Sequence, residues 1–340
     1  MSDITDTLVA TAPAASSRFS AARRRLQQFL ALAGLLVIYL AFAIARPSTF
    51  ATYDNLKNIL FSAVVVGCLA MGATLVIVTS GIDLSVGTGM ALCAVMAATF
   101  IVTWGMPIWI GIILTLIFGA FIGFVNGTSV AILGLPPFIA TLAMMMVCQG
   151  LALVVSNVHP IYFDGTQHAG YMWLSTGSLI PAADFPNAIV VLLLATVLAF
   201  IIFNKTILGR YDVSIGSNQE ATALSGINVK KWLIIIYATA GMFTALGGVM
   251  ISARLGSAQP ATGAGYELQA IAATVIGGTS LAGGKGSIVG TLIGALIIST
   301  INNGLQIVML PQQWQNVVLG VVIVIVVFID QLRTRRAKAR

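Results

Sequence analysis

Long apolar runs, separated by short polar interruptions, organise this chain from end to end. A helix needs about 20 mostly apolar residues to cross the hydrocarbon core of a bilayer. Ten runs meet that need, near 26–45, 58–79, 86–104, 108–132, 137–155, 186–204, 232–253, 264–281, 287–304 and 313–330. The third and eighth are rich in glycine and lie close to their neighbours. Backbone in hydrocarbon has no water to bond and must satisfy itself within a helix or a closed barrel. Barrel strands alternate apolar and polar positions, whereas these runs are continuous. The pattern predicts an all-α polytopic membrane protein of about ten transmembrane helices. It has a polar N-terminal tail (1–25), a membrane domain (26–332) and a basic C-terminal tail (333–340).

Composition agrees. Of 340 residues, 58% are hydrophobic and 8% charged, with a mean hydropathy of +1.00, against roughly 25% charged in a soluble domain. This excludes a soluble enzyme, a nucleic-acid binder and a disordered chain. The net charge of +7 is placed asymmetrically. With the N-terminus inside, 14 of the 17 Lys and Arg residues fall on inner segments, and only Arg46, Lys57 and Arg254 on outer ones. Positive charge marks the cytoplasmic side, so an even number of spans with both termini cytoplasmic is expected. The run after Arg23-Arg24-Arg25 also resembles a signal peptide with Ala43-Ile-Ala45 as its cleavage site. A 25-residue polar region is long for one, and the run is long enough to span. Cys68, Cys93 and Cys148 are odd in number and sit in apolar runs, so no disulfide framework is implied.

Compared with itself at an offset of 176, the chain shows 11 identities in the 46 positions 72–117, where such a composition gives roughly four or five by chance. The shared core, G-x-G-x-x-L-x-A-x-x-A, starts at Gly87 and at Gly263. Shared small-residue helix packing is one explanation. The other is a true repeat, with halves at about 58–155 and 234–331, in which spans 2–5 match spans 7–10. Copies five spans apart enter the membrane from opposite sides, an architecture common in transporters. Two Gly-interrupted elements then correspond, Gly81-Ile-Asp-Leu-Ser-Val-Gly87 and Ser257-Ala-Gln-Pro-Ala-Thr-Gly263. They nominate Gly81, Asp83, Ser85, Gly87, Gly89, Gln259, Pro260, Gly263 and Gly265 as the borders of a translocation path. The two elements are expected to serve its opposite ends.

Membrane-embedded charge is scarce: only Asp83 and Glu267 lie near a span, besides Asp330 at its inner end. Asp83 either couples an ion or, with Ser85, caps the third helix. Ala282-Gly-Gly-Lys-Gly-Ser287 imitates a phosphate loop, but G-x-x-x-x-G-K-[ST] is not met: Thr279 and Gly286 occupy required places. ATP, if used, is expected on another chain. There is no H-E-x-x-H and no Cys/His cluster with metal spacing, so neither a metal nor another cofactor is expected and no catalytic residue is nominated. Two polar connections are long, the outer Ser156–Phe185 and the inner Asn204–Lys231. In the inner one, Asn218 can cap a helix running through Ser225 and stopped at Gly226, with Ala221, Leu224 and Ser225 on one face. Such a helix suits a groove on a cytoplasmic partner; the alternative is a surface helix without one. The outer segment holds Tyr162, Asp164, Tyr171, Trp173 and Asp184. It is expected to contact a delivering protein or, alternatively, to rest on the membrane boundary.

Three motifs, in order, carry a resemblance. Gly216-Ser-Asn-Gln-Glu-Ala-Thr-Ala-Leu-Ser-Gly-Ile227 is similar to the coupling-helix motif of ABC-importer permeases for ribose, xylose, arabinose and galactosides. Gly81–Gly87 and Gly283-Gly-Lys-Gly-Ser-Ile-Val-Gly290 resemble two further motifs of that family, and the likeness extends over about residues 30–332. Ser217 and Thr222 depart from its common residues. The resemblance implies a permease in the bacterial inner membrane that pairs with a second permease subunit, commonly a second copy. A cytoplasmic ATPase would dock on Gly216, Asn218, Glu220, Ala221, Ala223, Leu224, Ser225, Gly226 and Ile227. A sugar-binding protein would deliver a small sugar from outside. A secondary carrier with Asp83 as its ion-coupling residue, or a passive channel, is the competing reading.

Overall fold

A computed structural model describes residues 14–179 and 184–338; the N-terminal tail up to residue 13, the stretch 180–183 of the outer segment and the last two basic-tail residues lie outside the described residues. The chain runs through α1 (Ala14–Ala45), α2 (Pro47–Phe50), α3 (Tyr53–Val78), α4 (Val86–Ala98) with a π turn (Thr99–Thr103), α5 (Ile108–Ala131) and α6 (Pro137–Val155). Then come β1 (Ile161–Tyr162), α7 (Ala169–Thr176), α8 (Asn187–Lys205), α9 (Ile207–Ser217), α10 (Gln219–Leu224) and α11 (Val229–Leu255). The last elements are β2 (Ser257–Ala258), α12 (Tyr266–Ile276), α13 (Ile288–Ile307) and α14 (Gln312–Lys338).

The protein is an all-α polytopic membrane protein. Among the described residues, seven helices are long and apolar enough to cross a bilayer: α3, α4 with its π turn, α5, α6, α8, α11 and α13. The other three expected spans coincide with shorter apolar stretches, Ala31–Ala45, Tyr266–Ile276 and Gln312–Ile325. The expected span 264–281 is corrected to a helix of 11 residues, about 17 Å long and roughly half a bilayer core. Glycines explain the shortening: Gly265 precedes the helix at φ 89° and Gly278 follows it at φ 92°, left-handed backbone that ends regular helix on both sides.

Helices α3 and α11 form the centre, buried over most of their length. Lipid tails are as apolar as leucine, so burying leucine between helices gains little there; close packing and hydrogen bonds must hold the bundle. The interfaces follow that rule. A methyl group on Gly119, Gly123 or Gly241 would strike backbone across the α5–α11 contact, and one on Gly72 of α3 would lie 2.8 Å from the Ala240 carbonyl of α11. The buried hydroxyls of Thr74 and Thr291 share a hydrogen bond of 2.8 Å between α3 and α13, and Thr274 of α12 donates to Ala70 O (3.1 Å). Contacts cross between the halves: α5 and α4 lie on α11, while α13 and α12 lie on α3. The faces of α5 and α6 away from the bundle carry exposed Ile113, Ile117, Phe121, Phe138 and Met146. They form a continuous apolar belt suited to lipid.

Candidate functional site

Helix α3 ends in a tight reversal. Ser80 N–H donates to Ile77 O (2.9 Å) and Gly81 N–H to Val76 O (3.2 Å), the bonding of a Schellman stop. The chain then passes through 82–85 into α4. Asp83 is buried, and its Oδ1 accepts from the Ser85 amide (2.8 Å) and the Ser85 hydroxyl (2.6 Å). Asn126 of α5 donates to Ser85 Oγ (2.9 Å), and Leu84 N–H donates to Thr141 Oγ1 of α6 (3.2 Å). The carboxylate thus shapes the entry to α4 and ties it to two neighbouring helices. Ser85, itself the N-cap, makes no side-chain cap bond, so of the two residues read as caps only Asp83 acts on the backbone.

The second element reaches α12 from the other end of the bundle. It leaves α11 at β2, which pairs antiparallel with β1 through Ile161↔Ala258 and Tyr162↔Ser257. It then turns inward to Gly263. The two elements meet: a methyl on Gly87 would overlap the Gly263 carbonyl, and one on Gly263 would overlap that of Gly87. Gly87 and Gly263 therefore touch where the N-termini of α4 and α12 converge. Both helix ends carry partial positive charge, and the Glu267 carboxylate lies there, accepting from Gly265 N–H at 3.1 Å and abutting Gly87. Gly89 and Gly265 are not close contacts of this kind. A methyl on Gly89 would meet Thr244 at an ordinary 3.4 Å, and one on Gly265 would meet nothing within 4 Å. Gln259 is exposed and Pro260 buried.

At the opposite end from the ribbon, α9 and α10 form an outward-standing pair. Asn218 caps α10 through Oδ1, which accepts from Ala221 N–H (2.9 Å), and Gly226 at φ 82° stops it. Thr222 faces inward and Leu224 is 87% exposed. Exposed Lys205, Arg210, Lys230, Lys231 and Lys285 surround the pair. A cavity of about 980 Å3 lies beneath, lined by Gln219, Glu220, Ala223, Lys230, Gly81 and Tyr237. Asp212 of α9 is fully buried with no hydrogen-bond partner on either carboxylate oxygen, and burial holds its carboxyl well above the ordinary carboxylate range.

In the outer segment, Asp164 Oδ1 accepts from the Thr166 hydroxyl (2.5 Å) and from the amides of Thr166 (2.8 Å) and Gln167 (2.9 Å). These donors, the hydroxyl foremost, hold its pKa down to about 2. Tyr162 and Trp173 are exposed. Asp184 is paired with Lys57 at 2.6 Å.

Comparison with known proteins decides the family. The family model for the permease component of branched-chain amino acid transport systems matches residues 55–327. The ribose import permease protein of Escherichia coli strain K12 is 43% identical over 300 residues, covering 88% of this chain and 92% of that protein. Its counterpart in Bacillus subtilis strain 168 is 42% identical over 316 residues, 93% and 95% of the two chains. The xylose transport system permease protein of Haemophilus influenzae is 34% identical over 360 residues, 90% and 96%. The chain belongs to this permease family. No solved structure matches it significantly.

Within the permease, the residues singled out in the sequence fall in three places. Asp83, Ser85, Gly87, Gly263 and Gly265 lie around the starts of α4 and α12, whereas Gly81 lines the cavity at the α9–α10 end. Gly216 to Ile227 lie at the α9–α10 end: Glu220, Ala221, Ala223, Leu224 and Ser225 are all exposed, and Glu220 and Ala223 also line the cavity. The outer residues do not form one surface. Tyr171 is corrected from a contact residue to a core residue: it is fully buried, stacked on Phe163 at 4.4 Å, with its hydroxyl bonded to Ser252 Oγ at 2.7 Å. Its aromatic bulk fixes α7 to α11. Sequence reasoning passed over α9, Thr141, Asn126, Ser80 and Asp212. Asp212 alone carried a readable signal, an acid between the apolar residues of an amphipathic turn. The imitation phosphate loop is engaged internally, since Gly284 N–H donates to Val78 O (2.8 Å).

Proposed function

We propose that this permease is the membrane subunit of an ATP-driven, binding-protein-dependent importer of a monosaccharide or related small sugar in a bacterial inner membrane. The observation that carries the reading is likeness to ribose and xylose permeases over about nine-tenths of the chain. The capped, outward-standing α10 supports an ATPase docking there through Ala221, Leu224 and Ser225. A second permease copy completes the pore, and the binding protein meets the ribbon end near Tyr162 and Trp173. The permease itself carries no catalytic role; ATP is hydrolysed on the partner.

About ten membrane helices, of which α12 is half-length, both termini cytoplasmic, and an inverted repeat complete the reading. Shifted by 176, Tyr53–Val78 becomes 229–254 against Val229–Leu255, and Ile108–Ala131 becomes 284–307 against Ile288–Ile307. The crossed packing of the halves and the Gly87–Gly263 contact support a two-fold relation. The basic ring at the α9–α10 end supports its cytoplasmic placement. A carrier driven through Asp83 is not favoured, because that carboxylate is occupied in shaping its own loop.

Uptake tests the reading. Inverted-topology vesicles aside, proteoliposomes holding the permease, its ATPase and its binding protein are offered labelled D-ribose, D-xylose, D-galactose and D-fructose in turn. At least one sugar should enter with ATP and continue to enter when proton and sodium gradients are collapsed. The Asp83→Asn variant should transport less with unchanged pH dependence. Uptake that follows the gradient and ignores ATP would overturn the assignment.

A further inference from the structure

Three backbone segments meet where the docking end adjoins the gate: the end of α3 (78–80), the end of α9 (216–217) and the turn 280–286 between α12 and α13. Backbone there lies against backbone or against a serine hydroxyl. Gly284 N–H donates to Val78 O (2.8 Å). A methyl on Gly216 would overlap the Val78 carbonyl, one on Gly283 would overlap the Ser80 hydroxyl, and one on Gly284 would lie 2.5 Å from Ser217 Oγ. The Ser80 hydroxyl, with its single proton, donates to Ala282 O (3.0 Å) and has Gly216 O as a second, longer acceptor at 3.4 Å, so it reaches both other segments from the first.

Ser80 sits at φ 66°, the left-handed position of the Schellman stop that closes α3. Glycine usually fills this place, because a Cβ there crowds the following carbonyl. Serine here forgoes the relaxed backbone that glycine would give and gains a hydroxyl that reaches the neighbouring segments. The neighbours of the junction give it a direction. Gly81, the next residue, opens the first gate element. Turn 280–286 begins just after the C-terminus of α12, the helix that follows the second.

We infer that this junction is a rigid connector that carries movement of the docking pair α9–α10 to both gate elements at once, with Ser80 as its positioning residue. The inference rests on reading α10 as the ATPase-docking helix. Backbones packed this closely cannot slide without breaking the Gly284–Val78 bond, so displacement of α9 shifts the end of α3 and the turn together.

Ser80→Gly tests this, in the complete complex with ATPase and binding protein. Glycine suits the left-handed backbone, so the melting temperature of the permease should equal or exceed that of the parent. Co-purification of the ATPase should not change. Stimulation of ATP hydrolysis by sugar-loaded binding protein, and uptake of the sugar that the vesicles accept, should fall at least fivefold. Stimulation within twofold of the parent would overturn the inference, as would a lowered melting temperature, which would make the loss a folding defect. Crosslinking from Leu224→Cys to the ATPase is measured on the same samples. Its absence in the parent overturns the docking reading and this inference with it; its presence beside undiminished stimulation in Ser80→Gly overturns this inference alone.

Discussion

Asp212 is the most costly residue in the described part of the chain: a fully buried carboxyl with neither oxygen bonded. Its folded-state pKa lies well above the ordinary value because burial penalises the charge, while in the unfolded chain it ionises at about 3.9. Below that pH both states hold the proton. Above it the unfolded state releases a proton that the folded state keeps, so stability falls as pH rises until the folded-state pKa is reached. Asp212→Asn removes the titration while keeping the size. It should raise stability near pH 7.5, with the gain shrinking toward pH 4. Thermal unfolding in detergent at the two pH values measures this, and an equal gain at both would refute the assignment. Asp83, by contrast, was legible from sequence alone, since an acid two residues before Ser85 at a helix entry is a local arrangement. Tyr171 was not, because an aromatic residue in a polar loop reads the same whether it faces a partner or, as here, a hydroxyl 81 residues away.

The element with the clearest sequence signal is α10. Its cap Asn218 and its stop Gly226 were both readable, being residue choices forced by local backbone geometry. Gly226→Val places a branched side chain at φ 82°, at a cost of about 1–2 kcal/mol. It should unwind the last turn of α10 and abolish co-purification of the ATPase, while membrane insertion persists; a normal yield of complex would mean that the helix is not the docking element. Helix α9 escaped notice because its glycines, Gly209 and Gly216, lower helix propensity. Their purpose is tertiary: a methyl on Gly209 would strike the Phe203 carbonyl, and one on Gly216 that of Val78. The same logic explains α12. An apolar count over 264–281 cannot distinguish a full span from a half-length helix whose flanking glycines take left-handed backbone.

At the scale of the molecule, two coil elements enter the bundle from opposite ends and meet at one pair of glycines. The ribbon β1–β2 ties one element to the outer loop, and the Ser80 junction ties the other to the docking pair. Each end of the bundle is thus tied to one of the two elements, and the elements touch in between at Gly87 and Gly263. Gly87→Val would force the N-termini of α4 and α12 apart. Uptake should drop at least tenfold, while the variant still inserts and still retains the ATPase on affinity capture. Uptake at the parental rate would show that the contact has no part in transport. The offset of 176 pairs Gly87 with Gly263 in the sequence. It did not anticipate their convergence, which depends on how far each coil reaches inward.

What the sequence determined by itself follows from short-range constraints. Hydrocarbon forces continuous apolar helices, and caps and stops mark α10 and the entry to α4. What only the tertiary structure decided depends on which surfaces come together: the Gly87–Gly263 contact, the three-way junction at Ser80, the burial of Tyr171 and the isolation of Asp212. In a bilayer, helices are not sorted by hydrophobicity, because lipid and protein interior are equally apolar. Partner choice then rests on the fit of small residues and buried hydroxyls, a property of two surfaces in register that one run of residues does not display.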